Sequence, residues 1–140
     1  MTTTNQVGGA VFNGPEAADI IGITYRQLDH WDTSGLVKPS LTKADGQGSR
    51  RQYVYGDLMD LLVVKTLTDF GVGFELIRRV MKHKGRFVRN DPRWMLVVYE
   101  NEVRITDVNQ MKTLTEPKVQ IMVPLAPLQE TLNRRLRDDR

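Results

Sequence analysis

The chain has 140 residues, 40% of them hydrophobic, with a formal net charge of +3 and no cysteine. That apolar content suffices for a packed core in one ordinary domain or two very small ones, and it argues against general disorder. The absence of cysteine excludes a disulfide framework and a thiolate metal or redox site. The charge is mild and evenly spread, with 10 of the 20 Lys and Arg in residues 1–85, so any case for an anionic partner must rest on where the cations sit.

Residues 1–12, with three threonines and two glycines, read as a flexible tail. Pro15 suits the first turn of a helix, because its missing N–H is not needed there. Ala17, Ala18, Ile20 and Ile21 make residues 15–21 a compact apolar helix that Gly22 can end. Thr24 is a good N-cap for a second helix over 25–34. On it Leu28 and Trp31 share a core-facing side, leaving Tyr25, Arg26, Gln27 and His30 outward. Gly35 ends this helix, and Leu36 and Val37 return to the core.

Residues 41–55 predict a hairpin. Asp45-Gly46 is a strong turn signal, Gly48-Ser49 extends the tip, and 52–55 form the returning strand. Lys38, Lys43, Arg50 and Arg51 cluster here against the single acid Asp45. A short helix followed by a basic, glycine-rich loop is the linear form of a winged helix-turn-helix. The helix suits a major groove and the loop brings cations to flanking phosphates. Double-stranded DNA is the partner this order implies. Thr24, Tyr25, Arg26, Gln27, His30, Lys38, Lys43, Arg50, Arg51 and Tyr53 are the candidate contacts. A solvated hairpin with ordinary surface charge is the alternative.

Helical periodicity resumes over 57–69, with Leu58, Leu61, Leu62, Val64 and Leu67 inward, and over 74–83, with Phe74, Ile77, Val80 and Met81. Asp57 serves the start of the first of these and Gly71 its exit. Residues 85–93 break the pattern as a linker. Strands at 94–99 and 102–106 follow, then a helix at 108–114 capped by Asp107, a strand at 119–123 and a helix at 125–137. This is a small ββαβα unit. Its last helix carries Leu125, Leu128, Leu132 and Leu136 on one stripe, which serves either the chain's own core or a contact with a second copy. No motif of acyl-transfer, nucleotide or metalloprotease chemistry is present, so an enzyme is not expected. His30 and His83 lie far apart without ligand partners, so neither metal nor cofactor is expected. No apolar run has the length of a membrane span, and no signal peptide is visible, so a cytoplasmic protein is expected.

Residues 13–83 resemble the DNA-binding domain of the MerR family of bacterial transcription regulators. The matching pieces are Thr24–Val37 ending in Ser34-Gly35-Leu36-Val37, and the wing Ser49-Arg50-Arg51-Gln52-Tyr53. Asp57-Leu58 then open a third helix, Asp69-Phe70-Gly71-Val72-Gly73-Phe74 join it to a fourth, and Glu75-Leu76-Ile77-Arg78 match the family's E-x-I-R. Their order and spacing make the match specific. One departure stands out. The family's R-Y-Y-E is here Asp29-His30-Trp31-Asp32, which puts an acid where a basic residue is usual. The variant is similar to an actinobacterial branch that includes the cell-division regulator FtsR. The usual long coiled-coil helix after the fourth helix is replaced by the αβ unit.

The resemblance implies an α+β protein. A winged helix-turn-helix over 13–84 would be followed by a small αβ dimerisation or effector-type domain over 94–138. It implies a homodimer gripping an inverted repeat at a promoter. RNA polymerase would be a further partner, and any small-molecule effector stays unidentified. With the coiled coil missing, Trp94, Leu128, Leu132 and Leu136 are the candidate dimer contacts. An architectural or excisionase-like DNA protein, or a protein-interaction adaptor suggested by Asp29, are the competing readings.

Overall fold

The computed structural model describes residues 9–42, 51–111 and 118–138. A two-residue strand, β1 (Phe12–Asn13), leads into helix α1 (Gly14–Ile21), which turns into α2 (Tyr25–Thr33). Strands β2 (Leu41–Thr42) and β3 (Arg51–Tyr53) are the bases of the wing, followed by α3 (Tyr55–Asp69) and α4 (Phe74–Val80), which runs on into a 3-10 turn at Met81–His83. Then come β4 (Trp94–Tyr99), β5 (Val103–Asp107), β6 (Val119–Pro124) and α5 (Leu125–Asp138). The hairpin tip falls outside the described residues, and with it Lys43, the Asp45-Gly46 and Gly48-Ser49 signals and Arg50.

Local chemistry accounts for the helix starts. The Asn13 side chain accepts from the Glu16 N–H at 2.8 Å while Glu16 accepts from the Asn13 N–H at 2.8 Å, a reciprocal cap that satisfies two otherwise orphaned donors. Pro15 sits in that first turn as its sequence position predicts. Thr24 and Gln27 repeat the device on α2, with both bonds at 3.0 Å. Gly22 closes α1 in the left-handed conformation at φ 85°, which a residue with a Cβ adopts only at a cost.

Two three-stranded antiparallel sheets result. In the first the order is β1-β3-β2, with Phe12 opposite Tyr53 and Leu41 opposite Gln52. Phe12, expected in a flexible tail, is therefore stitched to the wing, and its ring packs on the core. In the second sheet the order is β5-β4-β6. Leu96 and Val98 on β4 turn inward to the helices, and the Arg104 guanidinium covers the Tyr99 ring at 5.3 Å on the other face.

The expected helix at 108–114 is not formed. Asp107 ends β5, opposite Trp94, and caps only a single 3-10 turn at Val108–Gln110 through a 2.8 Å bond from the Asn109 N–H. Met111 is already extended, and residues 112–114 lie outside the described residues. A lone cap followed by Val and Asn does not offset the cost of nucleating a short helix. Among the described residues the C-terminal unit is three strands and one helix, with a 3-10 turn where the middle helix was expected to start.

One core runs through the whole molecule. Leu28, Trp31, Leu58, Leu61 and Leu67 from the N-terminal half and Phe87, Leu96, Val123, Leu125, Leu132 and Leu136 from the C-terminal half belong to a single buried cluster. Helix α5 lies against α1, α3 and β4. It adds two polar ties. Arg135 Nη1 donates to the carbonyls of Ile20 at 3.1 Å and Ile21 at 2.9 Å, supplying partners that the C-terminus of α1 lacks. The Tyr55 hydroxyl, in the first turn of α3, donates to Asn133 Oδ1.

Leu132 and Leu136 are fully buried in this core, so they are not free for a partner chain. Strand β4, which carries Trp94, is paired on both edges and so offers no free strand edge to a second chain. Trp94 and Leu128 stay partly exposed, with the Arg89 guanidinium 4.3 Å from the centroid of the Trp94 ring. Leu128 packs on the edge of the core.

Candidate nucleic-acid interface

Helix α2 buries Leu28 and Trp31 and shows solvent the face made by Tyr25, Arg26, Asp29, His30 and Thr33, residues one turn apart on one side. Arg26 is exposed at the open N-terminal end of this face. Thr24 and Gln27, expected as contacts, instead engage each other's backbone in the cap, so their side chains are spent on starting the helix. Tyr25 lies across the start of α1. A Cβ at Gly14 would meet Tyr25 Cε1 at 2.7 Å, so only glycine admits the ring there.

Arg51 on β3 is the keystone between wing and helix. Its Nε donates to Asp32 at 2.6 Å, Nη1 to the Tyr25 hydroxyl at 2.8 Å, and Nη2 to Asp29. Burial alone would lower the guanidinium pKa, but the hydrogen bonds to Asp32 and Asp29 outweigh it and hold the group above its ordinary value. Asp32 also takes the Lys38 ammonium, which donates to its Oδ1 at 3.2 Å and its backbone carbonyl at 2.9 Å. Arg51 and Lys38, expected to face phosphates, are therefore matched one for one by Asp29 and Asp32. The side chain of Arg51 is only 17% exposed.

Replacing Arg51 with Ala leaves two carboxylates side by side without their shared cation. Thermal unfolding should show a loss of about 1–3 kcal/mol. An unchanged melting curve would mean that the pairing is surface decoration.

Tyr53 corrects another expectation. Its ring is wholly buried opposite Phe12, and its hydroxyl has no hydrogen-bond partner among the described residues, so it braces the wing from inside. Burial pushes that hydroxyl well above the usual tyrosine range. His30 is exposed, but its ring leans on Phe74 with centroids 6.1 Å apart. Arg78 lies over the same Phe74 ring at 5.0 Å, so α4 brackets the C-terminal end of α2.

Sequence reasoning read Asp57 as a helix start but missed its hold on the wing, and it missed Asp29 and Asp32 as partners of the wing arginine. Asp57 is almost fully buried. Its Oδ2 accepts from the Ser40 N–H and the Val54 N–H, both at 2.9 Å, and its Oδ1 accepts from the Ser40 hydroxyl at 2.6 Å. One side chain thus caps α3 and clamps the two feet of the wing together. Asp29 was readable only as a departure in charge, and Asp32, an acid where the family also has one, was not singled out. Two acids three residues apart on the exposed helix, with an arginine on the following strand, were the available signal.

Comparison with known proteins identifies the family. Residues 12–84, just over half the chain, match the model for MerR HTH family regulatory proteins. Uncharacterized HTH-type transcriptional regulators of Mycobacterium bovis and of two strains of Mycobacterium tuberculosis are each 46% identical over 72 residues, covering 51% of this chain and 32% of theirs. The chain thus spans about a third of the length of these curated relatives. Among solved structures, the HTH-type transcriptional regulator SkgA from Caulobacter crescentus has a TM-score of 0.45 at 19% identity, covering 93% of this chain and 65% of that one. HiNmlR, a MerR family regulator lacking the sensor domain and bound to promoter DNA, has a TM-score of 0.46 at 17% identity, covering 93% and 73%. With its capped helix pair, its wing and a family model spanning both, the chain belongs to the MerR HTH family of regulatory proteins.

Proposed function

We propose that the protein is a sequence-specific DNA-binding transcription regulator that acts in the cytoplasm, as a homodimer on an inverted repeat. The observation that carries this reading is the presentation of α2. Its start is fixed by the Thr24–Gln27 cap, and its exposed face is locked to the wing strand by Arg51. A helix held that rigidly beside a hairpin suits insertion into a major groove with the wing over the backbone. No helix among the described residues is long and apolar enough to cross a membrane.

Arg26 is the cation of this face that is exposed to solvent. Arg26→Ala should weaken binding to the selected site by about 1–3 kcal/mol in a fluorescence titration while leaving the melting temperature in place. A folded variant with full affinity would remove α2 from the groove.

The two-fold reading calls for a pair of chains. The family match supports an inverted repeat, and the partly exposed Trp94 and Leu128 are the surviving members of the expected contact set. Sedimentation equilibrium with and without palindromic DNA is the test. A chain that stays single in both states contradicts the homodimer.

A further inference from the structure

We propose that Asp29 reads sequence. Its carboxylate accepts a hydrogen bond from the N4 amino group of a cytosine in the major groove, and Arg51 is the residue that positions it. The inference rests on the DNA-binding reading above and assigns one letter of the site.

Four features carry it. Asp29 shares the exposed face of α2 with Tyr25, Arg26 and His30, at the spacing that puts all four on one side of a helix. The two carboxylates around Arg51 are unequal. The Asp32 side chain is 15% exposed and is occupied by Arg51 and Lys38, whereas the Asp29 side chain keeps 50% of its surface open although it holds the same guanidinium. A carboxylate needed only as an anchor has no reason to stay on the outer face.

The third feature is the chemistry of the group. An ionised carboxylate can only accept. Next to a duplex it is repelled by phosphates unless a base edge donates to it. In the major groove the donors are the amino groups of cytosine and adenine, while guanine and the carbonyl of thymine present acceptors. Adenine sets its N7 acceptor beside its amino group, which suits an amide and opposes a carboxylate. Cytosine offers the donor without that neighbour.

The fourth is the surrounding charge. Arg51 and Lys38 offset the two aspartates, and the Arg51 Nη2 bond holds the Asp29 side chain in one geometry. That lowers both the repulsion from the backbone and the ordering cost of making the contact.

The test is selection from a random duplex library, followed by titration of the selected sites with the full chain, Asp29→Ala and Asp29→Asn. The Asn variant keeps an acceptor for Arg51, so it preserves the fold should Ala loosen the wing. The wild-type chain should enrich cytosine at one position of the site, and changing that base should weaken binding roughly ten- to a hundredfold. Asp29→Ala should lose that discrimination while keeping preferences elsewhere, and Asp29→Asn should move the preference toward adenine. If both variants keep the wild-type base ratios at every position, the inference is overturned and the DNA-binding reading stands. If both bind all sequences more tightly by one factor, Asp29 is a brake on Arg51 and reads no base. A wild-type chain that enriches no sequence overturns the DNA-binding reading and this inference together.

Discussion

Leu132→Ala should destabilise the whole protein by about 2–5 kcal/mol, the range for emptying a fully buried leucine site. Leu132 is wholly shielded in the core shared by both halves of the chain, on the helix that rests against α1 and α3. The decisive readout is where the loss is felt. The protein has two tryptophans, Trp31 on α2 and Trp94 on the C-terminal sheet. In urea both should report one coincident transition, moved to lower denaturant together. If the Trp31 signal keeps its wild-type midpoint while the Trp94 signal falls, the halves are independent and the single-core description is wrong.

Asp60 offers the second large effect, with the opposite sign. It is a 5% exposed carboxyl on α3 whose one hydrogen bond among the described residues is from the Gly85 N–H at 2.9 Å. Burial pushes its pKa up to about 7, against a lowering by the Gly85 bond, and neighbouring Asp57 raises it while Lys84 lowers it. The folded value lies above the unfolded value of 3.8, so between the two the folded chain holds a proton that the unfolded chain releases. Stability from this group is therefore full below the unfolded value of 3.8, falls as pH rises from there to about 7, and is level above it. At pH 8 the ionised carboxyl should cost on the order of 2–4 kcal/mol. Asp60→Asn keeps an acceptor for Gly85 and removes the charge. It should be more stable than the wild type by that amount at pH 8, with the gap closing as pH falls toward 3.8 and nearly gone below it. Parallel denaturation profiles of the two proteins would refute this.

The elements fixed by short-range chemistry were legible from residue order alone. Pro15, the Thr24 cap, the apolar faces of α3 and α4, and three of the C-terminal strands follow from local periodicity and capping. The misread parts depend on partners distant in the chain. Phe12 looks like tail until Tyr53 is placed opposite it, and Asp107 looks like a helix cap until Trp94 draws it into a strand. The leucine stripe of α5 announces burial but not against what. Within the site, Arg51 was visible as a cation. That Asp29, Asp32 and Tyr25 converge on it is a tertiary fact that no spacing rule encodes.

The pairing of Arg51 and Lys38 with Asp29 and Asp32 bears on how such a protein finds its target. Attraction to arbitrary duplex comes almost wholly from neutralised phosphates and the counterions they release. On the proposed reading Arg51 and Lys38 would add little to that attraction, because both are already paired with aspartates within the chain, and Arg26 would carry more of it. Occupancy of the correct site would then lean more on the shape and hydrogen bonding of a few base pairs, and would fall less steeply as ionic strength rises than it would with Arg51 and Lys38 unpaired.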